Sequence, residues 1–298
     1  MDWVIKDFVD WRNTARALLL AKTPPDEVLL RDEASNLDLF NSNSDTNNVG
    51  KDEIVKLEAK ARSVNISRDF LKRAHWVAHH SDQKRWQLLY SLAWRLLHED
   101  RQLLANPLDN EVALFNRHFK AVTRDYHKMK AFVRFQDIVS FSGLNKAHCQ
   151  QKVLEPEALH REKPLRNKKS DKNYILGAEA EHYIAWFEPE HFVLPLAATF
   201  FIKRFSTMNW SVLTPYECAH WYQNRLIFTH GAVRPPMPDD QTEQLWLQYY
   251  GSIFNPARIK VKAMQSEMPK KYWKNLPEAQ IIQSLLCNAT RRVSEMSH

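Results

Sequence analysis

The run from Val122 to Phe135, Val-Thr-Arg-Asp-Tyr-His-Lys-Met-Lys-Ala-Phe-Val-Arg-Phe, reads as the end of a helix turning directly into a strand. Upstream of it Phe115, Phe119, Val122, Tyr126 and Met129 recur at steps of four, three, four and three, the spacing of an apolar helical stripe, and Asp109 stands where that helix would be capped. Ala131 to Val139 then changes to β-type composition. A chain built on such a joint has to mix helix and sheet. The joint also gathers Arg124, Asp125, His127, Lys128 and Arg134, and Arg117, Lys120, Arg124 and Lys128 fall off the stripe as a basic face.

Around this centre the periodicity predicts a helix over residues 8–21, with Phe8, Trp11, Ala15, Leu18 and Leu19 on one face, stopped by Pro24 and Pro25. Val28 to Leu30 suits a short buried strand. Residues 31–52, rich in Asn, Ser and Asp, read as a long loop. Ser67 can cap one further helix and Ser81 or Asp82 the next. Strands are expected at Glu181–Glu188, Trp210–Thr214 and Ala219–Thr229, with a helix from Pro189 to about Phe205 between the first two. The expected fold class is therefore α+β: a helical N-terminal region at 1–108, a central module at 109–235 with an antiparallel sheet, a packed helix and a basic insertion at 141–178, and a helical C-terminal region at 236–298.

The formal net charge of +7 and the pI near 9.2 suit a polyanionic partner such as nucleic acid. Only five glycines are present and none are clustered, which excludes a P-loop and a dinucleotide fingerprint. Cys149, Cys218 and Cys287 are odd in number and far apart, so neither a disulfide framework nor a zinc ribbon is expected, and a reducing cytoplasm fits. The acidic, amphipathic N-terminus is unlike a signal peptide, and no apolar run is long enough to span a membrane. No cofactor and no metal site is expected.

Two kinds of chemistry are legible. At the joint, His127 can move protons near neutral pH while Arg124 and Arg134 can grip phosphate or carboxylate. Trp186-Phe187-Glu188-Pro189-Glu190-His191 adds Glu188 and His191 at a strand-to-helix turn, although acids at a helix start are favourable on electrostatic grounds alone. These five residues, His127, Glu188, His191, Arg124 and Arg134, are the candidate catalytic set. Lys128, Arg258, Lys260, Lys262, Lys270, Lys271, Tyr272, Trp273 and Lys274 mix cations with aromatics as a nucleic-acid surface does; the same pattern also describes a solvated helix with aromatic core plugs. His75 and His79 lie four apart on a helix, without a third ligand at metal-site spacing.

Four longer runs carry a resemblance: residues 124–135, Ala-Trp-Phe-Glu-Pro-Glu-His at 185–191, Ile-Phe-Asn-Pro-Ala-Arg at 253–258, and Glu-Met-Pro-Lys-Lys-Tyr-Trp-Lys-Asn-Leu-Pro-Glu-Ala at 267–279. They resemble a family of bacterial DNA metabolism or DNA repair proteins whose central domain has no assigned reaction. Trp11-Arg12 and the run at 85–90 extend the likeness into the N-terminal helices, while residues 41–48 and about 141–178 depart from it. In that family the domain precedes a uracil-DNA glycosylase domain in longer proteins or is encoded beside a radical SAM protein. The chain stops near where a fused glycosylase would begin, so glycosylase chemistry is not carried over. The resemblance implies a protein that binds DNA and acts with a radical SAM or uracil-DNA glycosylase partner. An enzyme working directly on damaged DNA through a His/Glu/Arg pocket, and a scaffold for the partner that does not bind DNA, are the alternatives.

Overall fold

The computed structural model describes residues 1–33, 65–137, 182–222, 224–235, 247 and 268–275. The loop expected near 31–52, the insertion at 141–178 and the helices expected beyond 240, with Arg258, Lys260 and Lys262, lie wholly or mostly outside them. The fold is α+β. It separates into two compact units, Met1–Asp125 with Glu190–Phe192, and Tyr126–Pro189 with Val193–His298.

In the first unit β1 (Asp2–Ile5) pairs in parallel with β2 (Leu29–Asp32), and α1 (Phe8–Leu20) joins their ends. Asp7 caps α1 by accepting from the Asp10 N–H, as Ser67 caps α2 (Arg68–Val77) by accepting from Phe70. α3 (Arg85–His98) and the start of α4 (Asn110–Phe132) complete the unit, with Asp109 accepting from the amides of Glu111 and Val112. Trp11, Phe70, Trp86, Leu89, Leu92 and Phe115 form the heart of one apolar cluster. The cap expected for α3 takes another form. Ser81 turns toward His191, and Asp82 accepts from Lys84 N–H before the helix begins. Arg85, buried at 4% exposure, holds this connection. It donates to the carbonyls of Ala78 and Asp82, and pairs with buried Asp32 at 2.6 Å.

The second unit holds a five-stranded sheet in chain order: β3 (Gln136–Asp137), β4 (His182–Trp186), β5 (Asn209–Leu213), β6 (Glu217–Tyr222) and β7 (Arg225–His230). The purely antiparallel sheet expected from the strand pattern is corrected on one point. β4 and β5 run parallel, because α5 (Leu194–Arg204) returns the chain to the same end before β5 begins; the other pairs are antiparallel. The strand expected over Ala219–Thr229 is in fact two, folded at Asn224, whose φ of 63° is a left-handed conformation that asparagine tolerates without glycine. Helix α4 persists to Phe132, so the change to strand falls later than the composition suggests. Phe201 of α5 packs edge-on against Trp210, and Phe135 meets both rings, so one sheet face meets the helix. Alternation then turns Ser211, and its register neighbours Ile184 and His220, to the other face.

Candidate functional site

The first unit contains a group of imidazoles that forms around His191. The His80 ring stacks on His118 at 3.7 Å between centroids and 15° between planes, and on His191 at 4.2 Å and 29°. His79 and His80 sit in the turn after α2, His118 is on α4, and His191 belongs to the segment Glu190–Phe192. That segment is tied down at two points. Phe192 N–H donates to the His79 carbonyl at 2.9 Å, and His191 N–H donates to the buried Asp125 carboxylate, also at 2.9 Å. His79 Nδ1 lies 2.9 Å from the Phe192 carbonyl, so it carries the proton there.

The hydrogen bonds assign the ring protons. Asp82 N–H donates to His80 Nδ1 at 3.0 Å, while the amide and hydroxyl of Ser81 both approach His191 Nδ1, at 3.3 and 3.0 Å. A nitrogen receiving donors is an acceptor, so neutral His80 and His191 hold their protons on Nε2. His118 Nε2 faces Asp82 Oδ2 at 3.5 Å, and its buried Nδ1 has no hydrogen-bond partner. Burial lowers the His80 pKa to about 3, assisted by repulsion from His118 and His191. The same burial lowers His118, against the pull of Asp82, and takes His79 to about 4, with His75 adding repulsion. Neutral rings can stack closely where imidazolium ions would repel. His79, His80 and His118 are thus held toward the neutral form. Among the described residues no group of three or more His, Cys, Asp or Glu side chains is placed to hold a metal ion.

Of the five candidate catalytic residues, His191 and Arg124 belong to the first unit and His127, Glu188 and Arg134 to the second. Arg124 and His127 are exposed on α4. Arg134 donates from Nη1 to the carbonyls of Ala131 and Val133, so it caps the end of α4. Glu188 accepts from Trp186 Nε1 at 3.2 Å. The helical register turns Lys128 inward, with its ammonium 5.7 Å from the Phe132 ring centre, and His127 takes the exposed position instead. The outward row on α4 is therefore Arg117, Lys120, Arg124, His127. Tyr272 is a core residue, stacked on Phe187 at 5.5 Å and 12°. Lys270 is exposed near the ring of Trp273, whose Nε1–H donates to the Met268 carbonyl. Lys271 and Lys274 lie in the 3-10 turn Lys270–Asn275.

His80 and His118 were not among the expected site residues. A signal for His118 existed: with Val112, Phe115, Val122 and Asp125 it follows the buried line of α4, and a polar residue at such a position needs a partner.

The family model for DUF4130, a domain of unknown function, matches residues 83–170 and 172–278, more than half of the chain. No curated protein and no solved structure matches.

Proposed function

The chain belongs to the DUF4130 family, and we propose that it is a DNA-repair or DNA-metabolism protein that binds DNA and works with a partner enzyme of the radical SAM or uracil-DNA glycosylase kind. The observation that carries this reading is the exposed row Arg117, Lys120 and Arg124 on one face of α4, in a chain of net charge +7. Three cations at steps of three and four span about 10 Å of helix. That is roughly three phosphate-to-phosphate steps along one DNA strand, at about 3.4 Å each. The test is fluorescence anisotropy with single-stranded and duplex DNA across a salt series. Binding is expected to weaken steeply with salt, and replacing all three cations by alanine should reduce the log–log slope by about two to three. Absence of binding at low salt would overturn the reading. It would favour a scaffold that associates with the partner alone, which nuclease-treated co-purification would then reveal.

A second reading, an enzyme acting directly on damaged or modified DNA, is favoured by the imidazole block around His191. The Nε2–H of neutral His80, oriented by the Asp82 N–H that donates to its Nδ1, suits stabilisation of a developing negative charge. It predicts that His191→Ala removes turnover and leaves DNA affinity intact. Substitution of His127 or Glu188 tests the same reading in the second unit.

A further inference from the structure

The second unit carries another group of histidines, on the sheet face away from α5. His182 Nε2 lies 2.8 Å from Ser211 Oγ, Ser211 Oγ 2.7 Å from His220 Nδ1, and His220 Nε2 2.9 Å from Thr229 Oγ1. One residue from each of β4, β5, β6 and β7 thus joins a single unbranched chain. We propose that this chain is a proton relay, running across the sheet from His182 to Thr229.

The geometry allows two directions. In one, Thr229 donates to His220 Nε2, His220 Nδ1–H donates to Ser211, and Ser211 donates to His182 Nε2. In the other every bond reverses. Each satisfies all four groups with neutral imidazoles, so neither direction is fixed by the chain itself. Burial lowers the pKa of both histidines, that of His220 to about 4, and this removes the charged forms that would pin the direction. Ser211, 3% exposed, is the one atom bridge between the rings.

Passage of one proton balances as follows. A hydronium ion gives a proton to His182 Nδ1 and leaves as water; this nitrogen has no partner among the described residues and is not one of the buried unpaired atoms. His182 releases Nε2–H to Ser211, Ser211 its hydroxyl proton to His220 Nδ1, and His220 Nε2–H goes to Thr229. The hydroxyl proton of half-buried Thr229 then leaves to a water molecule, so that one proton is taken up at one end and one released at the other. The chain ends in the opposite direction, and rotation of the hydroxyls with tautomer exchange resets it. Cys218, paired with Thr229 across the strands, is a buried thiol whose pKa is raised by burial, so it stands protonated at this end. With no charge on any member, the ligand suited to the His182 end is neutral and can donate or accept, as water or an alcohol hydroxyl can. A phosphate is a poor match.

The relay and a static hydrogen-bonded chain differ in their ring protons. In a relay each of the four ring nitrogens of His182 and His220 is protonated part of the time. Their nitrogen-15 shifts at pH 7 are therefore expected between the limits of protonated and bare imidazole nitrogen. Ser211→Ala cuts the chain and should return each ring to a single tautomer, moving the shifts to the limits. Thr229→Val, which removes the end group and spares Ser211, should settle both rings together in one direction. Shifts at the limits in the unaltered protein would overturn the proposal, as would averaging that survives Ser211→Ala in a protein shown to be folded by near-ultraviolet circular dichroism. If Ser211→Ala does not fold, Thr229→Val decides alone: averaging that persists in both rings would refute a connected chain. DNA binding plays no part in this test, so its outcome is separate from that of the proposed function.

Discussion

Both units lower the pKa of partly buried histidines, by opposite geometries. In the first, His80, His118 and His191 lie ring upon ring, and backbone amides answer the Nδ1 atoms of His80 and His191. In the second, His182 and His220 meet edge to edge through a shared hydroxyl. In the stack a backbone amide, a donor that cannot turn round, fixes the acceptor nitrogen of His80 and of His191. Hydroxyl links leave the proton a choice. Burial lowers pKa in both places, so the pKa direction does not distinguish them; the partners do.

The largest break in this comparison is expected from Arg85→Met. Arg85 braces the turn that carries His79 and His80, and its removal leaves Asp32 buried without its cation, which costs about 3 to 5 kcal/mol. Urea unfolding measures the loss, and the ring-current shifts of His80 should collapse in the folded fraction. A cost below about 1 kcal/mol would show that the turn holds itself.

His80→Phe sharpens the contrast from within the stack. A histidine whose folded pKa is below its unfolded value of about 6.5 binds fewer protons folded than unfolded between the two values, so its contribution is present above pH 6.5 and lost on descent toward 3. The slope approaches about 1.4 kcal/mol per pH unit for each such group. Phenylalanine keeps the stacking, forgoes the hydrogen bond from Asp82 at about 1 kcal/mol, and should flatten the acid limb of stability. An unchanged limb would assign acid sensitivity to other groups.

Glu217→Gln is expected to have the smallest effect and the opposite sign. Burial raises the Glu217 carboxyl to about 7, so folding favours its protonated form, and stability from this group declines as pH rises from its ordinary value through 7. Glutamine removes that penalty, gaining on the order of 1 kcal/mol at pH 8 and little at pH 5. Thermal unfolding at the two pH values checks it.

Much of the helical architecture could be read from residue spacing. Ser67, Asp109 and the line through Phe115, Val122 and Met129 are where the periodicity puts them. Strand direction could not be read so easily, because the parallel pairing of β4 and β5 depends on where α5 returns the chain and on no residue within either strand. Nor could the bend at Asn224, a left-handed position without the glycine that usually announces one. The two histidine groups were hidden for different reasons. His118 sat on an apolar line and was absorbed into it. His182, Ser211, His220 and Thr229 alternate with apolar neighbours as the outward residues of half-buried strands do, and only the pairing register reveals that they touch.

That register makes the four-strand chain a test of its own assembly. Side chains alternate across a strand, so a slip of a single residue in β6 would send His220 to the face of α5 and bring Ala219 or Trp221 beside Ser211. Nothing about such a slipped sheet need be loose, yet no proton could cross it. Conductance along the row would therefore report correct pairing of all four strands at once, in a way that secondary-structure content never could.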